Sequence, residues 1–278
     1  MLGGGAFGTY NITMPTVPCF HVDAFTSRRF AGNPAAVCLL AKAHPAKWMQ
    51  AIAAELNLSE TAFVVPMARG LQLRWFTPKC EVDLCGHATL ATAHVLWQEG
   101  LVPADQAIPF HTRSGQLVAA RRPDGRIELD FPARPAVVGK APKGLAKVLG
   151  ATPVRVAHST EDLLVELESA AAVRALQPDL VALGELPVRG VVVTAASDQR
   201  RFDFVSRFFA PAVGVPEDPV TGSAHCVLAP WWSERLGRAV LKGYQASARG
   251  GEVEVEAAGA RVRLRGAAVT VVRGELQD

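Results

Sequence analysis

Three short segments of this chain hold most of the side chains able to move a proton or hold an anion. Glu60 lies between Ser59 and Thr61. A free glutamate titrates near ~4.3. A carboxylate shuttles protons best when burial raises it toward about 6–7. Leu58, Ala62 and Phe63 are the apolar neighbours that would bury Glu60; the plainer reading is a solvated residue at a helix end. Asp83, Cys85 and His87 alternate into a presumed helix start. Cys85 reads either as a structural thiol or as a thiolate favoured by that helix end. His87 reads as a capping imidazole or a general acid/base. Cys80, Cys85, His87 and His94 invite a zinc reading, but their spacing fits no standard finger and no second cysteine pair exists, so no metal is expected. The third segment is Glu217-Asp218-Pro219-Val220-Thr221-Gly222-Ser223. Asp218 suits a loop carboxylate that bonds local backbone N–H groups. Ser223 and His225 lack the G-x-S-x-G elbow of a hydrolase. Backbone N–H groups after Gly86 and Gly222 are better anion-binding candidates, because glycine lets a ligand approach closely.

The elements that must position these residues occur twice. Residues 74–78 read RWFTP and 207–211 read RFFAP. Each is followed by a loop rich in Asp, Glu and Pro, then by a small residue, a glycine and a helix start. These are Cys85-Gly86-His87 in the first copy and Thr221-Gly222-Ser223 in the second. Two copies of a strand–loop–helix unit predict two similar half-domains related by pseudo-symmetry. If they face each other, both helix N-termini point into one cleft. A helix N-terminus offers unpaired N–H groups and about half a positive charge, so two would trap a carboxylate.

The 278 residues suit two domains, 14–131 and 132–278, with the boundary at Phe131-Pro132-Ala133-Arg134-Pro135 and the last strand free to return to the first half. Residues 1–13 read as a disordered extension before Met14. Gly3, Gly5 and Gly8 spell G-x-G-x-x-G without the strand that a dinucleotide fingerprint needs. Apolar residues make up 49% and the net charge is +3. That balance argues against a nucleic-acid partner, and no apolar run approaches the ~18 residues of a membrane helix. With no signal peptide, an odd five cysteines and no C-x-x-C pair, the expectation is free thiols in a cytoplasmic protein, and the sequons at Asn11 and Asn57 carry little meaning. Patterning predicts strands at 20–25, 35–40, 62–65, 71–76, 190–194 and 202–209. It predicts helices at 47–56, 88–98, 144–149, 170–176 and 224–236, the last kinked or shortened by Pro230. Hairpins are expected at 117–121/126–131 and 250–256/261–265, and a last strand at 269–272. Strands and helices mix without β-α-β rhythm, so the expected class is α+β: curved mixed sheets around helices.

Together VDAFTSRRFAGNPAAV (22–37), NLSETAFV (57–64), LRWFTPKCEVDLCGHATLATAHVL (73–96), EDPVTGSAH (217–225) and ARGGEVEVE (248–256) resemble the phenazine-biosynthesis PhzF-like isomerase family, within the diaminopimelate-epimerase-like superfamily. The resemblance implies two similar domains, each a curved sheet or barrel around a central helix, with the active site in the cleft between them. It also implies a homodimer, no cofactor and a small carboxylate substrate. By matching motif positions, Glu60 would be the proton-shuttling acid/base. His87 and Asp218 would hold the substrate and tune its protonation. Ser223, with the backbone of Gly86 and Gly222, would hold a carboxylate, and Asn33 would border the cleft. Epimerases and racemases of the superfamily use one cysteine from each half. Here Cys85 has Thr221 opposite it, so one carboxylate fits better than two thiols. Cys85 as base in a racemase, and a non-catalytic binding protein on the same scaffold, are the rival readings.

Overall fold

The computed structural model describes residues 16–277. The Gly3-Gly5-Gly8 pattern, the Asn11 sequon and the expected extension at 1–13 lie outside the described residues. The chain forms two compact units. One contains residues 16–30, Pro34–Asp130 and 266–277; the other contains Ala31–Asn33 and Phe131–Arg265.

In the first unit, strand Asn33–Leu39 runs parallel to Glu60–Pro66, joined by helix Ala46–Leu56. Glu60–Pro66 pairs antiparallel with Leu71–Phe76, which turns back through the short strand Glu81–Val82. Leu71–Phe76 also lies parallel to Ile108–Thr112, which opens a meander through Gly115–Arg121 to Ile127–Pro132. The terminal strand Ala268–Leu276 pairs with Val17–Ala24. Helix Gly86–Gln98 packs against four of these strands and is buried from His87 to Ala93 and again from Val95 to Trp97. A helix that is apolar all round has no solvent face, and this one is the centre about which the sheet curves. Its hydroxyls fold back: Thr89 donates to the Cys85 carbonyl at 2.5 Å and Thr92 to Ala88 at 2.7 Å. Helix Ala46–Leu56 is instead one-sided. Met49 and Ala53 are buried with Cys38, Phe63 and Phe76, while Trp48, Ile52 and Leu56 flank that face. It stops at Asn57, whose φ of 50° is a left-handed cap.

The second unit repeats this path. Asp162–Glu166 runs parallel to Gly190–Ala196, which pairs antiparallel with Phe204–Ala210; that strand turns back through Val215–Asp218. Phe204–Ala210 lies parallel to Val240–Gln245, which opens a meander through Gly251–Ala258 to Arg261–Gly266. Helix Gly222–Leu236 takes the central place. The architecture is α+β, two similar units each of curved mixed sheet around a helix.

The structure corrects several sequence expectations. Pro230 does not shorten its helix, which runs on to Leu236. A proline cannot bond the carbonyl four residues back, and that carbonyl, on Cys226, accepts the Arg134 N–H at 3.0 Å instead. The strands Arg155–His158, Asp162–Glu166 and Val240–Gln245, and the helix Leu180–Gly184, were not expected. The helix carried a readable signal: Asp179 caps it by accepting from the N–H groups of Val181 and Ala182. No helix among the described residues is long and apolar enough to cross a membrane.

Candidate active site

Glu60 is the first residue of its strand, so its side chain leaves the sheet at the end nearest the start of the central helix. That end of the helix has Cys85 as its N-cap and Gly86 as its first residue, which makes His87 the second. His87 is buried, and Glu60 is 17% exposed at its side chain. The imidazole Nε2 lies 3.1 Å from Glu60 Oε2, and Nδ1 lies 3.6 Å from the Cys85 sulfur. The other carboxylate oxygen, Oε1, has no hydrogen-bond partner among the described residues.

The electrostatics separate the roles of the three. Burial opposes an imidazolium at His87, but its contacts with Cys85 and Glu60 outweigh burial and hold the ring well above its ordinary value. Burial pushes the Cys85 thiol up to about 11, reinforced by the Glu60 charge; the neighbouring His87 and the Ala88 N–H pull only weakly the other way. Of the two readings of Cys85, a structural thiol and a thiolate, this burial favours the structural thiol. The arrangement sets an imidazole held above its ordinary value between a carboxyl group and a thiol pushed up to about 11.

The zinc grouping of Cys80, Cys85, His87 and His94 does not assemble. Cys80 is exposed and His94 Nε2 pairs with the Thr270 hydroxyl at 3.1 Å. Glu60, Cys85 and His87 do lie with ligand atoms within 4.8 Å of one another. Yet the two ring nitrogens of His87 face different partners.

The second unit carries a different set. Asp218 accepts from the Asn33 amide at 2.8 Å and from the Thr221 hydroxyl at 2.5 Å. Buried Gln245 ties the turn together: its Oε1 accepts the Thr221 N–H, and its Nε2 donates to the Asp218 carbonyl and to the Thr221 hydroxyl. Thr221 is thereby committed as donor and acceptor. Asn33 was expected to border a cleft. It is fully buried, and its amide also donates to the Val220 carbonyl, so it orients the Asp218 loop. His225 is no partner for Ser223. Its Nδ1–H donates to the Thr221 carbonyl at 2.8 Å, and burial lowers its pKa to about 4. Gly222 and Ser223 open the helix as Gly86 and His87 do.

Sequence reasoning missed Asp162 and Arg189. Asp162 is buried at the first position of its strand, and Arg189 precedes the strand beside it. Arg189 grips both Asp162 carboxylate oxygens at 2.9 and 2.5 Å and reaches the Ser223 hydroxyl at 3.0 Å. Neither residue lies in a motif. The available signal was a charged residue at the head of each of two apolar strands.

Comparison with known proteins identifies the family. Residues 22–274 match the model of the phenazine biosynthesis-like protein family. The chain is 49% identical to an uncharacterized isomerase of Halalkalibacterium halodurans, over 95% of this chain and 99% of that one. A crystal structure of a PhzF-family phenazine biosynthesis protein from Enterococcus faecalis superposes with a TM-score of 0.90 at 41% identity, covering 94% of this chain and 99% of that chain. A hydroxyproline epimerase from Agrobacterium vitis, 10% identical, shares the fold alone, with a TM-score of 0.60 over 94% of this chain and 92% of that one. The chain belongs to the phenazine biosynthesis-like (PhzF) family, and it is an enzyme of the isomerase class.

Proposed function

We propose that this enzyme moves a proton from one carbon to another within a small carboxylic acid, with Glu60 as the single acid/base and no cofactor. The observation that carries the reading is the Glu60–His87 contact: a mostly buried carboxylate with one oxygen held by an imidazole at 3.1 Å and the other oxygen open. The open oxygen removes a proton from the α- or vinylogous C–H. The C–H electron pair passes into the adjoining π system, and the same proton returns to another carbon, so nothing is gained or lost overall. His87 holds the carboxylate in place and supplies positive charge beside it. Ser223, with the backbone of Gly86 and Gly222, holds the substrate carboxylate, where fixed donors stabilise charge that grows during transfer. Asp218 holds a polar substituent and tunes its protonation. Assembly as a homodimer in the cytoplasm completes the reading.

A racemase built on Cys85 is the less supported alternative, since a thiol that titrates near 11 is rarely a thiolate at neutral pH. The deciding test is deuterium incorporation in heavy water, followed by NMR, with dihydro-hydroxyanthranilate and a panel of small amino and hydroxy acids. Exchange or rearrangement that vanishes in Glu60→Gln supports the carboxylate mechanism. Exchange that survives in Glu60→Gln and vanishes in Cys85→Ser overturns it in favour of the racemase.

A further inference from the structure

We propose that Arg189 is a positioning residue that fixes the Ser223 hydroxyl as a hydrogen-bond donor toward a substrate carboxylate. The inference rests on the proposed isomerase reading for the identity of that ligand, but its physical basis lies in the second unit itself.

Asp162 carries a side chain with no exposure, and Arg189 is its ion-pair partner. Arg189 Nε donates to one Asp162 oxygen at 2.9 Å. One Nη2 hydrogen goes to the other oxygen at 2.5 Å, and the second goes to Ser223 Oγ at 3.0 Å. A planar guanidinium held at two points on a buried carboxylate has little freedom left. The Phe208 ring, 5.4 Å below its centre, closes one face. Burial works against the charge, but Asp162 more than restores it, so Arg189 stays cationic.

The consequence falls on Ser223. A hydroxyl that accepts from a fixed cation must send its own hydrogen elsewhere. Ser223 is the second residue of its helix, so no helical carbonyl lies four residues back to take that hydrogen, as Cys85 and Ala88 do for Thr89 and Thr92. The Ser223 hydrogen has no acceptor among the described residues. It is a partly exposed donor, polarised by a cation, on the helix position that corresponds to His87. The Arg189 Nη1 hydrogens also have no partner among the described residues, and the side chain is 31% exposed. A purely structural ion pair would need neither of these open donors.

A thiol at position 223 reads this field without any substrate. In a Cys19→Ser/Cys80→Ser background, the alkylation rate of Ser223→Cys by iodoacetamide would be followed against pH, with the modified residue identified by mass spectrometry. The expected midpoint lies below the ordinary thiol value of about 8.5. Removing both charges with Asp162→Asn/Arg189→Gln, which leaves no unpaired buried carboxylate, should raise it by about one unit or more. Arg189→Lys should fall between the two. A midpoint that is unchanged across these variants overturns the proposal. A shifted thiol with no proton exchange by any variant would uphold Arg189 and sink the isomerase reading. Proton exchange with an unshifted thiol would do the reverse.

Discussion

In the first unit, the strand that opens at Glu60 sends a carboxylate to the second residue of the central helix, His87. In the second unit, the matching strand opens at Gly190, which has no side chain, and Arg189 just before it reaches the second residue of its own helix, Ser223. The equivalence rests on register. Thr61 pairs with Phe76 in one unit as Val191 pairs with Phe209 in the other. The scaffold is kept in detail: Arg74 forks onto Glu81 and lies against Phe76, while Arg207 forks onto Glu217 and lies against Phe209. One architecture thus supports opposite chemistry at the same place. The first unit offers a carboxyl group beside an imidazole, and the second offers a cation beside a hydroxyl.

The largest test of that division is Glu60→Gln. It keeps the size of the side chain and a polar neighbour for His87 but removes the proposed base. Proton exchange should fall by about 10²–10⁴-fold, with circular dichroism and thermal midpoint little changed. If the exchange rate stays within a few-fold of the parent, the first unit is not the proton-handling half and the contrast collapses.

Gly190 tests the other side of the comparison. A Cβ there would meet the Phe208 ring at 2.4 Å, so the position that carries Glu60 in one unit is filled by an aromatic ring in the other. Gly190→Ala should destabilise the protein by about 1–3 kcal/mol in chemical denaturation, the usual range for overpacking. A neutral result would mean that the ring swings aside freely, and that the second unit could accept a carboxylate after all.

The two histidines near the helix starts should titrate in opposite directions. His87 is held well above the ordinary histidine value of 6.5, and His225 is lowered to about 4. For His87, stability is fully present below pH ~6.5 and is lost as pH rises through the raised folded value. For His225, the unfolded chain takes up a proton that the folded one refuses, so stability is lost as pH falls from about 6.5 toward 4. NMR titration should find His87 protonated and His225 neutral at pH 7. A neutral His87 at that pH would remove the imidazolium from the site.

Much of this was legible in the sequence, and the reasons are local. The repeated RWFTP and RFFAP strands, the two glycine-led helices and Glu60 at a strand head all follow from patterning and motif position. What escaped was set by tertiary contacts. Asp162 and Arg189 become a pair only when two strands align in parallel, with Asp162 opposite Gly190. Pro230 looked like a helix breaker because the alternative donor, the Arg134 N–H, is far away in sequence. The choice between the two readings of Cys85 was not legible for a related reason: the helix end is visible in the chain, whereas the depth of burial that opposes a thiolate is a property of the packed unit.

Cys85→Ser should have the smallest effect, and that smallness is informative. A thiol at about 11 would be ionised in roughly one molecule in ten thousand at pH 7. A base so rarely formed contributes little beside a carboxylate in the same site. What Cys85 does supply is an acceptor for His87 Nδ1–H, at 3.6 Å, and a serine oxygen can accept the same hydrogen. Proton exchange should therefore fall by less than about tenfold. The same reasoning explains why Thr221 is tolerable at the matching place in the second unit: its hydroxyl is consumed by Asp218 and Gln245 and is not asked to take a proton from substrate. Loss of exchange in Cys85→Ser, with Glu60→Gln active, would reverse the assignment. The first unit would then be a thiol site, and its contrast with the second would be one of nucleophile against hydroxyl rather than base against cation.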